Sequence, residues 1–152
     1  MLSREDPLRL ECLALHDRLV DRTIALTTAG QLQIKDDFSL RFEVMVLLVA
    51  VVLYHLTAKN EKQRAEQLWE ITFEGFESRL REQGVNDIRI AAKMRKLLLY
   101  ATGRRNAYLA AIPHNDQALL RQAIGRNVLN GAEASDPRIN LLLEEIQSNL
   151  LE

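Results

Sequence analysis

The feature that most constrains the fold is an apolar run near the middle of the chain. Eleven consecutive apolar side chains extend from Val44 to Tyr54, and the fifteen residues between Glu43 and Lys59 carry no formal charge. As a helix this uncharged segment would reach about 22 Å, which is shorter than the roughly 30 Å hydrocarbon core of a bilayer. We therefore expect a helix over about residues 39–58 that is surrounded by other helices, not a membrane span. Either all of it is buried, or one face lines an open groove.

The composition is that of one globular domain over residues 1–152. The chain is 47% hydrophobic and 27% charged, with a formal net charge of -1, so any attraction to nucleic acid or anionic lipid must be local. A single cysteine, Cys12, excludes an internal disulfide and a cysteine-based zinc site. The acidic first residues and the lack of an apolar signal segment predict a protein that is not secreted.

Proline, glycine and capping residues predict an all-α fold. Asp6-Pro7 and Asp136-Pro137 have the pattern of helix starts, while Gly84, Gly103 and Gly131 follow helical patterns. We expect a single-domain irregular bundle of six to seven helices around the apolar helix. The first predicted helices are Pro7–Ala29, residues 39–58 capped by Ser39, a helix capped by Asn60 that ends at Gly84, and a helix from Asp87 to Gly103. A short helical piece at Ala107–Ala111 and a helix at Asn115–Leu129 follow. The C-terminal helix has one apolar face, formed by Ile139, Leu142, Leu143, Ile146 and Leu150.

The residue inventory predicts no catalytic, metal-binding or cofactor-binding site. The histidines, His16, His55 and His114, fall on different predicted elements and lack the spacing of a metal or haem motif. No phosphate-binding glycine loop or nucleophile elbow occurs. An acidic stripe on the third helix is typical of a solvated face, and a small enzyme that uses it is the least favoured alternative. This stripe comprises Glu66, Glu70, Glu74 and Glu77.

A basic segment follows the acidic stripe. No acid occurs between Asp87 and Asp116, and six positive charges lie in this interval: Arg89, Lys93, Arg95, Lys96, Arg104 and Arg105. Two interpretations stay open. The charges form a solvated face that complements the acidic stripe, or they form a patch for an anionic partner, either lipid head groups or ribosomal RNA. Only Tyr100 and Tyr108 are interleaved with them, so sequence-specific nucleic-acid recognition is not expected.

The order of several segments resembles the ubiquinol-cytochrome c chaperone family. These segments are RFEVMVLLVAVVL, LWEITFEGFESRLREQGVNDIRIAAKMRKLLLYATGRRNAY and LLRQAIGRNVLNG, within residues 13–131, and the C-terminal helix over 132–152 lies outside them. The most specific part is the corner LREQGVND, with Leu80, Arg81, Glu82, Gly84, Val85 and Asp87 at the family-like positions. In this corner Gly84 can end one helix, Val85 can pack back on it, and Asp87 can cap the next. The chain departs from the family pattern at IKDDFS, EGFES and YATGRR.

The resemblance implies an assembly chaperone without enzymatic activity, which binds newly made cytochrome b or another subunit of the ubiquinol-cytochrome c reductase. Such a holder needs accessible apolar surface. The candidate client groove comprises Phe42, Val46, Val49, Leu53, Trp69, Phe73 and Phe76. The basic segment would then face the ribosome or an anionic membrane surface. In a bacterium the protein would be cytoplasmic, peripheral at the inner membrane; in a eukaryote it would act on the matrix side of the mitochondrial membrane.

The alternative is a generic helical interaction module without a membrane-protein client. In that case the apolar stripe of the last helix is buried in a homodimer or against a small partner protein.

Overall fold

Six helices form one bundle in the part of the chain that the structure describes, residues 6–113 and 117–151 of a computed structural model. The prediction of a single all-α domain is confirmed. In chain order the helices are α1 (Pro7–Thr28), α2 (Phe38–Ala58), α3 (Lys62–Glu82), α4 (Asp87–Ala111), α5 (Gln117–Asn127) and α6 (Arg138–Gln147).

The apolar helix α2 lies at the centre, against α1, α3 and α4. Every residue from Val44 to Leu53 is buried, as expected for a helix that is apolar on all faces. The helix begins before the uncharged run and has 21 residues, enough to cross a membrane by length and composition, so the length of the uncharged run alone does not exclude a span. However, 72% of its most apolar window is buried inside the bundle, and the core helix of a soluble protein meets the same criterion.

Three predicted helix caps are wrong. Asp37, not Ser39, caps α2, because its carboxylate accepts a hydrogen bond from the amide of Leu40 at 3.0 Å. Asn86, not Asp87, caps α4 in the same way. Asn60 does not cap α3; with φ at +60° it forms the turn after α2.

The fourth helix does not end at Gly103. It continues to Ala111 for 25 residues, so the predicted short piece at Ala107–Ala111 is its last part. A glycine inside a helix costs about 1 kcal/mol relative to alanine, and the buried Ala101 and Tyr108 on either side offset that cost by packing on the core. The predicted start of the next helix at Asn115, like His114, lies outside the described residues.

The apolar stripe of α6 is covered by its own chain. Ile139 and Leu142 have no exposed surface, and Leu143 and Ile146 are buried as well. Leu150, which was predicted on this helix, follows its end at Gln147 and is also buried. At the C-terminal end of α6, Arg22 of α1 donates hydrogen bonds to Glu145 and to the Ser148 hydroxyl. The stripe is therefore not available to a second subunit. The alternative in which a homodimer buries this stripe is wrong.

Asp136 fixes the start of α6. Its Oδ1 accepts from the backbone amide of Arg138 at 2.9 Å, and its Oδ2 accepts from the Arg138 guanidinium at 2.7 Å. Arg138 in turn donates to the carbonyl of Leu32 at 2.8 Å, which ties α6 to the connection before α2. These bonds from Arg138 lower the pKa of Asp136 from 3.8 to about 2.

We expect Asp136→Asn to lower the thermal unfolding midpoint at neutral pH. Because the pKa of Asp136 is depressed by folding, its stabilising effect is present above pH 3.8 and is lost as the pH falls toward about 2. The difference in midpoint between the wild type and the variant should therefore shrink over that interval. A difference that stays constant from pH 5 to pH 2 would contradict this assignment.

Candidate functional site

A cavity opens on one side of the bundle where α1, α2 and α3 meet. Its volume is about 270 Å³. Phe42 and Met45 of α2 form its floor, and both are buried. The walls are apolar and come from all three helices: Val20 and Ile24, Phe38, and Phe76. We call this cavity, with these six residues, the α1–α3 groove.

Five aromatic rings run in one continuous chain from this groove along one face of α3 toward α4. The ring centroids of Phe38 and Phe42 lie 6.4 Å apart, and those of Phe42 and Phe76 lie 5.1 Å apart. Phe73 continues the chain at 5.6 Å from Phe76, and Trp69 lies 5.0 Å beyond it. Contacts of this kind add about 0.5–1.5 kcal/mol each to the area that the rings bury. Three of these rings, Phe38, Phe42 and Phe76, line the groove.

A glycine and a histidine set the width of the groove. A Cβ atom on Gly75 of α3 would lie 3.1 Å from the His16 ring of α1, which is tighter than ordinary contact. The lack of a side chain at this position lets the two helices approach. Burial lowers the pKa of His16, so its imidazole is neutral at physiological pH and presents no charge to the cavity.

The rim of the groove is polar and carries both signs of charge. Arg41 donates two hydrogen bonds to the carboxylate of Asp36, at 2.8 and 2.9 Å. Arg79 and Glu82 of α3 line the rim further along. An apolar floor inside a polar rim is the usual organisation of a protein-binding patch.

The structure brings only part of the predicted client groove together. Phe42 and Phe76 line the α1–α3 groove. Trp69 and Phe73 are half-buried at the other end of the ring chain, where Arg105 of α4 lies 4.6 Å from the Trp69 ring. The remaining three, Val46, Val49 and Leu53, are sealed in the core, with no more than 7% of their surface exposed.

Four of the six groove residues, Val20, Ile24, Phe38 and Met45, were not among the predicted ones. Phe38 lies just before the predicted start of the helix at residue 39, whereas α2 begins at Phe38. Val20 and Ile24 follow His16 at intervals of four residues, a second row beside the more obvious stripe of Cys12, Leu15 and Leu19. That row was the signal in the sequence that could have identified the α1 wall.

The six predicted patch residues divide into two groups. Arg104 lies against α2, where its Nε donates to both carboxylate oxygens of Glu43 at 2.5 and 2.9 Å. Arg105 covers Trp69. The other four are exposed, and within the described residues none of them forms an ion pair. We call this second group, Arg89, Lys93, Arg95 and Lys96, the free basic group.

The family-like corner ends α3 and leads the chain into α4. Gly84 has φ at +83°, and the amide of Val85 donates to the carbonyl of Leu80 at 3.1 Å, as in a Schellman motif. Arg81 bridges the corner through hydrogen bonds to Asp87 and Glu77. Glu82 lies on the groove rim, 3.9 Å from the Arg79 guanidinium.

The acidic stripe of α3 is used mostly within the fold. Glu74 accepts from Arg9 of α1 at 2.7 Å, and Glu77 accepts from Arg81. Glu70 accepts from the Gln67 amide. Over residues 6–113 and 117–151, no group of three or more His, Cys, Asp or Glu side chains is arranged to hold a metal ion.

Comparison with known proteins gives one finding. A family model described as ubiquinol-cytochrome C chaperone matches residues 30–151. The chain has no significant match among curated proteins or among solved structures. The matched range begins after α1 and extends through α6, so it contains the floor and the α3 wall of the groove but not the α1 wall.

Proposed function

The chain belongs to the ubiquinol-cytochrome c chaperone family, and from that membership we propose that it binds newly made cytochrome b and holds it until the reductase assembles. The match over most of the chain is the observation that carries the proposal. The role requires binding and release without chemistry. It places the protein on the side of the membrane where cytochrome b is synthesised, which is the cytoplasm in a bacterium and the matrix in a mitochondrion.

The α1–α3 groove is the proposed contact for the client. Its volume of about 270 Å³ falls below the range of about 300–1,000 Å³ typical of small-molecule sites. It suits one or two apolar side chains that project from a helix, as in helix-in-groove recognition. Each such side chain, if fully buried, contributes about 1.5–3 kcal/mol. Two anchors would thus hold a client helix weakly enough for later release.

The polar rim fits the same role. Arg41 and Asp36 neutralise each other, and Arg79 lies beside Glu82, so the rim does not select a strongly charged partner. A rim of this kind keeps water from the anchors and tolerates varied polar residues at the edge of a client helix. Cytochrome b, whose membrane helices are apolar, is a client of this chemistry.

We expect a photo-crosslinking residue at position 24 to form an adduct with newly made cytochrome b in cells. Ile24 is half-buried on the groove wall, within reach of a seated side chain. The matched control places the same residue at Leu10, which is 53% exposed on the same helix and outside the groove. Adducts with cytochrome b are then identified by mass spectrometry after a short pulse of synthesis. Equal cytochrome b adducts from both positions, or none from position 24, would contradict the groove as the client site.

A further inference from the structure

The first half of α4 presents an outward face that no other element covers. Between Ile90 and Ala101 no residue of this helix is fully buried. Ile88 is 88% exposed and Leu99 is 71% exposed. Ile88, Ala92, Arg95 and Leu99 follow one another at intervals of four, three and four residues, so they lie on one face of the helix. We call these four residues the outward stripe.

A basic stripe runs beside the outward stripe, in which Arg95 is the one charged residue. Arg89, Lys93 and Lys96 follow the same spacing one position further along, and Tyr100 continues it at 49% exposure. No acid occurs from residue 88 to residue 113, and the nearest acid, Asp87, is bound to Arg81. The positive charges of the free basic group are therefore not neutralised within the described chain.

We propose that the outward stripe and the free basic group dock α4 onto a bilayer that contains anionic lipids. A helix that lies in the interface places its apolar residues at the boundary of the acyl chains and its Lys and Arg side chains among the phosphates. The aliphatic stems of Lys93 and Lys96 can extend toward the head groups, and a tyrosine is favoured at that depth. Charge complementarity selects anionic lipid over neutral lipid.

The apolar residues decide between lipid and RNA. Phosphate contacts to RNA need the cations alone, and base stacking needs aromatic rings, of which this face carries only Tyr100. Neither phosphate contacts nor base stacking explains why Ile88 and Leu99 are exposed beside the basic residues. An acyl boundary accounts for both features together. This inference does not depend on the client, because it concerns the free protein and a lipid surface.

The test is flotation of the purified chain with vesicles. We expect binding to vesicles of phosphatidylcholine with phosphatidylglycerol, and much weaker binding to phosphatidylcholine alone. Each Lys or Arg near an anionic surface strengthens binding about five-fold, so Lys93→Gln with Lys96→Gln should lower the partition coefficient by roughly 25-fold at low salt. Ile88→Ser with Leu99→Ser should lower it by about ten-fold or more.

The control is Leu10→Ser, which alters an exposed leucine on α1 and should leave binding unchanged. Because all the substituted side chains are exposed, every variant should keep the wild-type unfolding midpoint. Vesicle binding that is unaffected by Ile88→Ser with Leu99→Ser would overturn the proposal. Binding to a random single-stranded RNA without binding to the anionic vesicles would also overturn it, in favour of a nucleic-acid surface.

Discussion

Replacing Arg104 with methionine should destabilise the protein by about 2–4 kcal/mol, because Glu43 would keep its burial and lose its only ion-pair partner among the described residues. The carboxylate of Glu43 is 12% exposed and the guanidinium is 26% exposed, so the loss should be smaller than for a fully buried pair. Urea unfolding at pH 7 measures it. The matched control is Arg95→Met, which removes an exposed arginine of the same helix and should change stability by less than about 0.5 kcal/mol.

The double variant Glu43→Gln with Arg104→Met should recover most of the loss, since it leaves no charge to desolvate. The stability deficit of Arg104→Met alone should depend on pH in a defined direction. Burial raises the pKa of Glu43, and Arg104 partly opposes that rise. Without Arg104 the pKa rises further, so the folded state binds a proton more readily and the deficit shrinks as the pH falls from 7. If Arg104→Met has the same free energy of unfolding as Arg95→Met, the Glu43–Arg104 ion pair does not stabilise the fold, and Arg104 belongs with the free basic group.

The fold class was predictable because it depends on local patterns. Helical periodicity and the placement of Pro7, Gly84 and Pro137 near helix ends are visible in the sequence. The observed caps precede the predicted ones by two residues at α2 and by one at α4. Asp37 and Ser39 are comparable capping residues, and so are Asn86 and Asp87. Only backbone geometry decides which of two such neighbours accepts the bond.

The open face of α2 could not be predicted for a different reason. A helix that is apolar all round gives no sign of which side its neighbours leave uncovered. The groove reaches α2 only at its first turns, where the buried Phe42 and Met45 line it, while Val46 and Val49 lie in the sealed core. That outcome depends on how α1 and α3 approach each other at Gly75.

The sequence also does not show which of the six cations in the basic segment is paired within the fold. The six cations are similar in the sequence, but Glu43 and Arg104 are 61 residues apart, so no local spacing reveals their pairing. The outward position of Ile88 and Leu99 was likewise missed, because α4 has apolar residues on two faces and its inward face is set by the contacts of Ile90 and Ala101. The family was recognised from its segments because these are local too.

Removal of the gene should deplete the assembled ubiquinol-cytochrome c reductase and leave the other respiratory complexes near their normal amounts. Under the proposed function, newly made cytochrome b would then expose apolar helices that aggregate or are degraded before partner subunits join. The wild-type gene and the Leu10→Asp variant should restore assembly. The Ile24→Asp variant should not, because a carboxylate on the groove wall opposes burial of an apolar anchor. Circular dichroism of both purified variants checks that each one folds.

The most direct measurement of the central claim is the amount of assembled reductase in the deletion strain, resolved by native electrophoresis and probed for cytochrome b. The account predicts that most of the reductase band is lost while the bands of the other complexes persist. A reductase band of wild-type intensity in the deletion strain would contradict it.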